Sequence, residues 1–157
     1  MSTRRIYSGR VIDLDVDRVR FPDGSTGELE VIRHSGAAAV VALTEPPDAA
    51  NPRVVLLRQY RYAAGGAILE IPAGRLEPGE SAEACARREL LEEAGYVAGS
   101  WRTLTTIYTT PGFTDERIHL FLAHDLEARE PAGEADEFIE VRVVPWSEAM
   151  QAIRDGR

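Results

Sequence analysis

GRLEPGESAEACARRELLEEAGY, residues 74–96, is the stretch whose reading decides the fold. Gly74, Pro78 and Gly79 break its first part into a loop. From Ser81 the run contains only good helix formers, which predicts a helix with Ser81 as N-cap and Gly95 just past its end. Glu89 precedes Glu92 by three positions and Glu93 by four, so these carboxylates share one helix face with Cβ atoms about 5–6 Å apart. Glu80, at the helix entrance, can lean towards them. An all-oxygen cluster of this kind suits a hard divalent cation, and Mg2+ in particular keeps waters and shares substrate phosphates. A Glu-rich face is by itself ordinarily a solvated one, because like charges at these spacings cost only about 0.2–0.5 kcal/mol per pair.

The wider pattern separates the two readings. Gly74, Glu80, Arg88, Glu89, Glu92, Glu93 and Gly95, with Leu90 at the internal apolar position, fit G-x5-E-x7-R-E-U-x-E-E-x-G-U. From ordinary composition a chance match is on the order of one in a million, which removes the solvated-face reading. The pattern resembles the signature of the Nudix hydrolases; Tyr96 stands where an aliphatic residue is usual, which touches packing at the helix exit and leaves the carboxylates alone. The resemblance implies an α/β class fold, a Nudix-type α/β/α sandwich with a mixed sheet. It implies Mg2+, or Mn2+, bound by Glu89, Glu92 and Glu93, with the backbone carbonyl of Ala73 as a further ligand and Glu80 nearby. Arg88 then orients the glutamates by ion pairing and, with Glu92, counts among the catalytic groups.

Composition bounds the rest. A chain of 157 residues with 44% hydrophobic and 28% charged residues reads as one globular domain. Its net charge of −8 argues against a nucleic-acid groove, which needs clustered Lys and Arg. It does not exclude a phosphate substrate, since a bound metal reverses the local sign. Cys85 is the only cysteine and reads as a small buried apolar residue. Charges interrupt every hydrophobic segment, and neither a signal peptide nor a membrane span is expected; the cytoplasm is the default.

Residues 6–34 read as extended, folded at the turn Pro22-Asp23-Gly24-Ser25 into a small N-terminal antiparallel hairpin sheet. Such a sheet is too small to be stable alone. The chain is therefore divided into an N-terminal hairpin and dimerisation segment, residues 1–35, and a Nudix hydrolase domain, residues 36–157. In the subfamily that the chain resembles, the first segment crosses to a partner subunit, which implies a homodimer. Residues 37–44, AAAVVALT, predict a strand buried on both faces. Further strands are expected at residues 54–57, 68–72, 101–108, 118–122 and 138–144. Residues 127–137 read as a mobile acidic loop. Pro145-Trp146-Ser147 opens a terminal helix with Ala149, Met150 and Ile153 on its inner face.

Three features outside the signature narrow the resemblance. Pro111, sixteen positions beyond Gly95 and followed by Gly112 and Phe113, resembles the ADP-ribose pyrophosphatase branch. Arg58-Gln59-Tyr60-Arg61 and Glu70-Ile71-Pro72-Ala73-Gly74 resemble the same branch and the related GDP-mannose hydrolases, which implies substrate contacts from Arg61, and from Arg58 and Glu70. In related enzymes a loop glutamate aligns or deprotonates the attacking water, and either Glu134 or Glu137 stands at that place. His34, His119 and His124 form no metal-ligand spacing and receive no role. The activity implied is hydrolysis of a nucleoside diphosphate sugar, foremost ADP-ribose to AMP and ribose 5-phosphate. GDP-mannose or another nucleoside diphosphate is the alternative substrate, and a non-catalytic nucleotide-sugar-binding protein the alternative class. No nucleic-acid or membrane partner is expected.

Overall fold

The computed structural model describes residues 1–130 and 139–156. The N-terminal part is an antiparallel sheet of β1 (Ser2–Ser8), β2 (Asp13–Arg20) and β3 (Thr26–Arg33), in that spatial order. The predicted turn joins β2 to β3, with Gly24 at φ 86°, a left-handed value that glycine adopts without strain. One more strand is present than a single hairpin requires, because β1 pairs along β2 from Ser2 to Ser8.

The main sheet is built on β4 (Ala37–Leu43), whose sequence lacks any charge. Ala38, Val40 and Ala42 point to one face and are fully buried, while Leu43 belongs to a cluster on the other. Beside β4 lie β5 (Arg53–Arg61) and β9 (Arg117–Ala128), and the edges are β10 (Ile139–Pro145) and β8 (Tyr96–Tyr108). The order is β10-β5-β4-β9-β8, with β4 and β9 parallel and the other pairs antiparallel, so the sheet is mixed. Helix α1 (Ala82–Ala94) covers one face through Cys85, Ala86, Leu90 and Ala94. Helix α2 (Trp146–Arg154) covers the other through Ala149 beside Leu43, Val54 and Leu122. This is the α/β/α sandwich expected.

The elements differ from expectation in detail. After a short 3-10 turn, the segment leading to the signature is two strands: β6 (Gly66–Glu70) on β5 and β7 (Ala73–Arg75) on β4. The chain changes partners at Pro72, which has no N–H to donate but whose carbonyl accepts from Val40 N at 2.9 Å. Strand β8 starts at Tyr96 rather than Trp101, since Gly95 turns the chain straight from helix to strand. Glu127 and Ala128, expected in a loop, pair with Val97 and Tyr96. Ile153, expected on the inner face of α2, is exposed, and Ala152 is buried instead.

Candidate active site

The site begins with the caps of α1. Ser81 Oγ accepts from Ala84 N at 3.2 Å, and Gly95 takes φ 70° with its N–H on Leu90 and Leu91 oxygens. The apolar stripe of Cys85, Ala86 and Leu90 seats the helix on β4 and β5. Glu89 and Glu93 stand at the border of that stripe, each only 8% exposed. Two buried carboxylates on one helix face are costly unless each is matched. Glu93 Oε2 accepts from Ala73 N at 2.9 Å, which ties the helix to β7. Glu89 lies against Gly74: a Cβ built there would come 1.8 Å from Glu89 Oε1, so glycine alone lets the loop approach the carboxylate.

Arg88 joins the remaining acids. Its Nε and Nη2 donate to the two oxygens of Glu80 at 3.0 and 3.1 Å, a bidentate pair. Nη1 donates to Glu89 at 2.7 Å and to Glu92 at 3.1 Å, and Nη2 also reaches Arg75 O at 3.1 Å. The pairing holds the Glu80 carboxyl below its ordinary pKa and raises that of Arg88. Cys85 donates to the carbonyls of Gly74 and Arg75 at 3.4 Å each. Burial first, then the charges of Glu80 and Glu89, push its thiol up to about 12, so it is no nucleophile at neutral pH.

These groups form one wall of an open cleft of about 1500 Å³. Ala73, Gly74, Glu80, Arg88, Glu89, Glu92 and Glu93 all line it, as does Arg61. The β1–β2 turn, Arg33, His34 and Glu116 line the same cleft. The signature wall carries five carboxylates, with Glu77 counted, against the guanidiniums of Arg75 and Arg88, so negative charge is left in excess. Its donors are carboxylate and carbonyl oxygens, the chemistry a hard divalent cation takes, and the Gly74 cradle aims one of them. Among the described residues no three acidic, His or Cys side chains converge closely enough to hold a metal. The guanidinium of Arg88 fills the point where Glu80, Glu89 and Glu92 meet.

The other sequence-derived residues are divided. Arg61 lines the cleft and is held by Glu70 at 2.7 and 3.0 Å across β5 and β6. Arg58, three places earlier on the same strand, is not among the cleft residues; it is exposed, 3.9 Å from Glu140. Pro111, Gly112 and Phe113 are exposed and lie outside the cleft lining, although Phe113 O accepts from Ile32 N at 2.8 Å. Glu134 and Glu137 lie outside the described residues. Sequence reading passed over Arg33, His34 and Glu116, which reach the cleft through contacts between distant segments. His34 Nδ1 is 3.4 Å from Glu116 Oε1, which Thr109 Oγ1 holds through Oε2 at 2.8 Å. His119 and His124 are engaged elsewhere, with Thr106 and Asp125.

The NUDIX domain model matches residues 33–157, the whole of the sandwich and the signature. The chain belongs to the NUDIX family. It is 42% identical to the methanol dehydrogenase activator of Bacillus methanolicus, covering 100% of this chain and 83% of that protein. It is 41% identical to the ADP-ribose pyrophosphatase of Bacillus subtilis (strain 168), covering 98% of this chain and 81% of that one. Among solved structures, an ADP compounds hydrolase superposes with a TM-score of 0.80 at 22% identity over 98% of this chain and 81% of that chain, which shows the same fold. The carboxylate wall lies where β7 meets α1. No helix among the described residues is long and apolar enough to cross a membrane.

Proposed function

We propose that this NUDIX protein is a divalent-metal-dependent pyrophosphatase that hydrolyses ADP-ribose to AMP and ribose 5-phosphate. The observation that carries the reading is the excess of carboxylates, Glu80, Glu89, Glu92 and Glu93, gathered with Arg88 on one wall of an open cleft. The full-length similarity to an ADP-ribose pyrophosphatase supports the substrate. Glu89, Glu92, Glu93 and the Ala73 carbonyl would hold Mg2+, or Mn2+, with Glu80 beside them. When bound, the cation supplies Lewis-acid stabilisation of the phosphoryl oxygens and lowers the pKa of a bound water. Arg88 keeps Glu80, Glu89 and Glu92 aligned and limits their mutual repulsion. Arg61, itself fixed by Glu70, offers a guanidinium to the diphosphate or its sugar. Glu134 or Glu137 takes the proton of the attacking water, since carboxylates bound to metal are poor bases.

The same reading assigns residues 1–35 to dimerisation and residues 36–157 to hydrolysis. Ile6, Tyr7, Val11 and Leu29 of the N-terminal part are between 43% and 57% exposed, apolar surface that a second subunit would cover. The workplace is the cytoplasm, where nucleoside diphosphate sugars and Mg2+ are both available. The test is a panel of ADP-ribose, GDP-mannose and other nucleoside diphosphate sugars with Mg2+, with products separated by chromatography. ADP-ribose should give AMP and ribose 5-phosphate with the highest kcat/KM. Preference for GDP-mannose would replace the substrate, and no turnover of any would overturn the reading. In the same assay Glu134→Gln or Glu137→Gln, but not both, should lower kcat by about 10²–10⁴ with KM nearly unchanged.

A further inference from the structure

A second charged network lies in the N-terminal sheet. Asp15, in the middle of β2, is only 3% exposed, although the strand it occupies is otherwise half open to water. Arg5 of β1 grips it from one side, its Nε on Oδ1 and its Nη2 3.4 Å from Oδ2. From the other side Arg33 Nε donates to Oδ2 at 3.1 Å. Arg33 uses its other two nitrogens as well: Nη2 on Asp17 and Nη1 on Asp115 Oδ2 at 3.3 Å. A guanidinium is planar and rigid, so fixing Nε and Nη2 also fixes the direction of Nη1.

That third direction leads to the cleft. Asp115 Oδ1 accepts from His34 N at 2.9 Å, and Asp115 N donates to Ile32 O at 3.2 Å. With Phe113 O on Ile32 N and a bridge between Ile32 and Thr114, the segment between β8 and β9 is fastened along β3. The next residue is Glu116, which with His34 and Arg33 lines the cleft that the signature glutamates also line.

We propose that Asp15 is a positioning residue: acting through Arg33 and Asp115, it sets the part of the cleft lining that Arg33, His34 and Glu116 supply. The network ends on side chains that face the substrate's space, and it reaches them from a carboxylate that does not line that space. A sheet needing only cohesion could carry an apolar residue there, as it does at Val31 directly across on β3. Arg5 and Arg33 hold the Asp15 carboxyl below its ordinary pKa, which keeps the anchor charged at neutral pH.

The role rests on the proposed hydrolysis at this cleft, so the test has one readout that needs no substrate. Amide hydrogen exchange is compared in the wild type, Asp15→Asn, Asp115→Asn and Val54→Ala. The last removes buried volume under α2, away from the cleft, and serves as a stability control. Exchange at Ile32 and Asp115 should quicken about tenfold in Asp15→Asn and Asp115→Asn. It should not do so in Val54→Ala. On whichever diphosphate the wild type hydrolyses, KM should rise about fivefold to tenfold in both network variants, with kcat within about twofold. The double variant should lose no more than the worse single one. Unchanged exchange at those amides in both variants overturns the proposal, as does a KM rise no larger than in Val54→Ala. Should the wild type cleave no diphosphate, the functional reading fails while the exchange data still decide this one. Asp115→Asn, at an exposed end of the network, keeps the test open if Asp15→Asn does not fold.

Discussion

At the signature a single arginine, Arg88, is held by Glu80, Glu89 and Glu92; in the N-terminal sheet a single aspartate, Asp15, is held by Arg5 and Arg33. The first is local in sequence and the second joins segments far apart, yet both put charge where water is scarce. They differ in what is left over. Around Arg88 the acids outnumber the base, and Glu93 adds another carboxylate, so the wall keeps a negative field that can recruit a cation. At Asp15 the one deeply buried carboxylate is matched by two guanidiniums, whose other partners, Asp13, Asp17 and Asp115, are more open to water, and what remains is rigidity. Excess carboxylates facing a cleft are suited to bind, and a buried carboxylate matched from both sides is suited to hold. Desolvated ion pairs are weak sources of net stability in either setting, so the arrangement has to be explained by what it positions.

The largest effect should come from neutralising one member of the unbalanced wall. Glu93→Gln keeps the side chain's shape and its acceptor for Ala73 N. It should nevertheless lower kcat at least about 10²-fold, since a cation held at this wall would supply several kcal/mol of phosphoryl-charge stabilisation. Activity of the wild type should vanish with chelator and return with Mg2+ or Mn2+. Asp15→Asn, by contrast, should leave kcat almost untouched. Equal losses of kcat in the two variants would erase the distinction between binding and holding. A smaller effect is expected from Gly74→Ala. The new Cβ must displace the Glu89 carboxylate it would overlap at 1.8 Å, and a displacement of about 1 Å at a reacting centre can cost about 10²-fold. Circular dichroism should show a folded protein, and normal activity with a normal KM for Mg2+ would show that Glu89 can move freely.

The unbalanced wall was legible in the sequence because its parts are local. Ser81, Glu89, Glu92, Glu93 and Gly95 lie within four turns of one helix, and cap and face follow from spacing alone. The uncharged β4 was equally plain. The holding network was not, because its decisive links, Arg33 to Asp115 and His34 to Asp115, join residues 82 and 81 positions apart. Periodicity carries no information about such pairs. Strand ends failed for another reason: Glu127 and Ala128 pair on an exposed edge, where polar residues are tolerated and the alternation signal is weak. Arg58 and Arg61 could have been separated beforehand. Three steps along a strand reverse the face, so both could not point into one cleft.

The smallest effect concerns acid, and it tests whether charge is what makes Asp15 hold. Its folded-state pKa is depressed below 3.8, chiefly by the Arg5 guanidinium and further by Arg33, although burial works the other way. A depressed carboxylate is stabilising wherever the unfolded state would also be ionised, that is above about pH 3.8. As pH falls through the folded value, the native carboxylate takes up its proton and the contribution is lost. Asparagine resembles the protonated acid in shape and charge, so the Asp15→Asn variant lacks that contribution at every pH. The gap in thermal midpoint between wild type and Asp15→Asn should thus be widest near neutrality and narrow once pH drops below 3.8. Glu45 supplies the comparison, since the Arg53 backbone N–H and guanidinium hold its pKa at about 2 and it lies in a loop remote from both networks. The Glu45→Gln gap should begin to narrow below 4.5 and close near pH 2. If the Asp15→Asn gap stays constant across that range while the Glu45→Gln gap closes, Asp15 holds by shape and hydrogen bonding. Its charge would then be incidental.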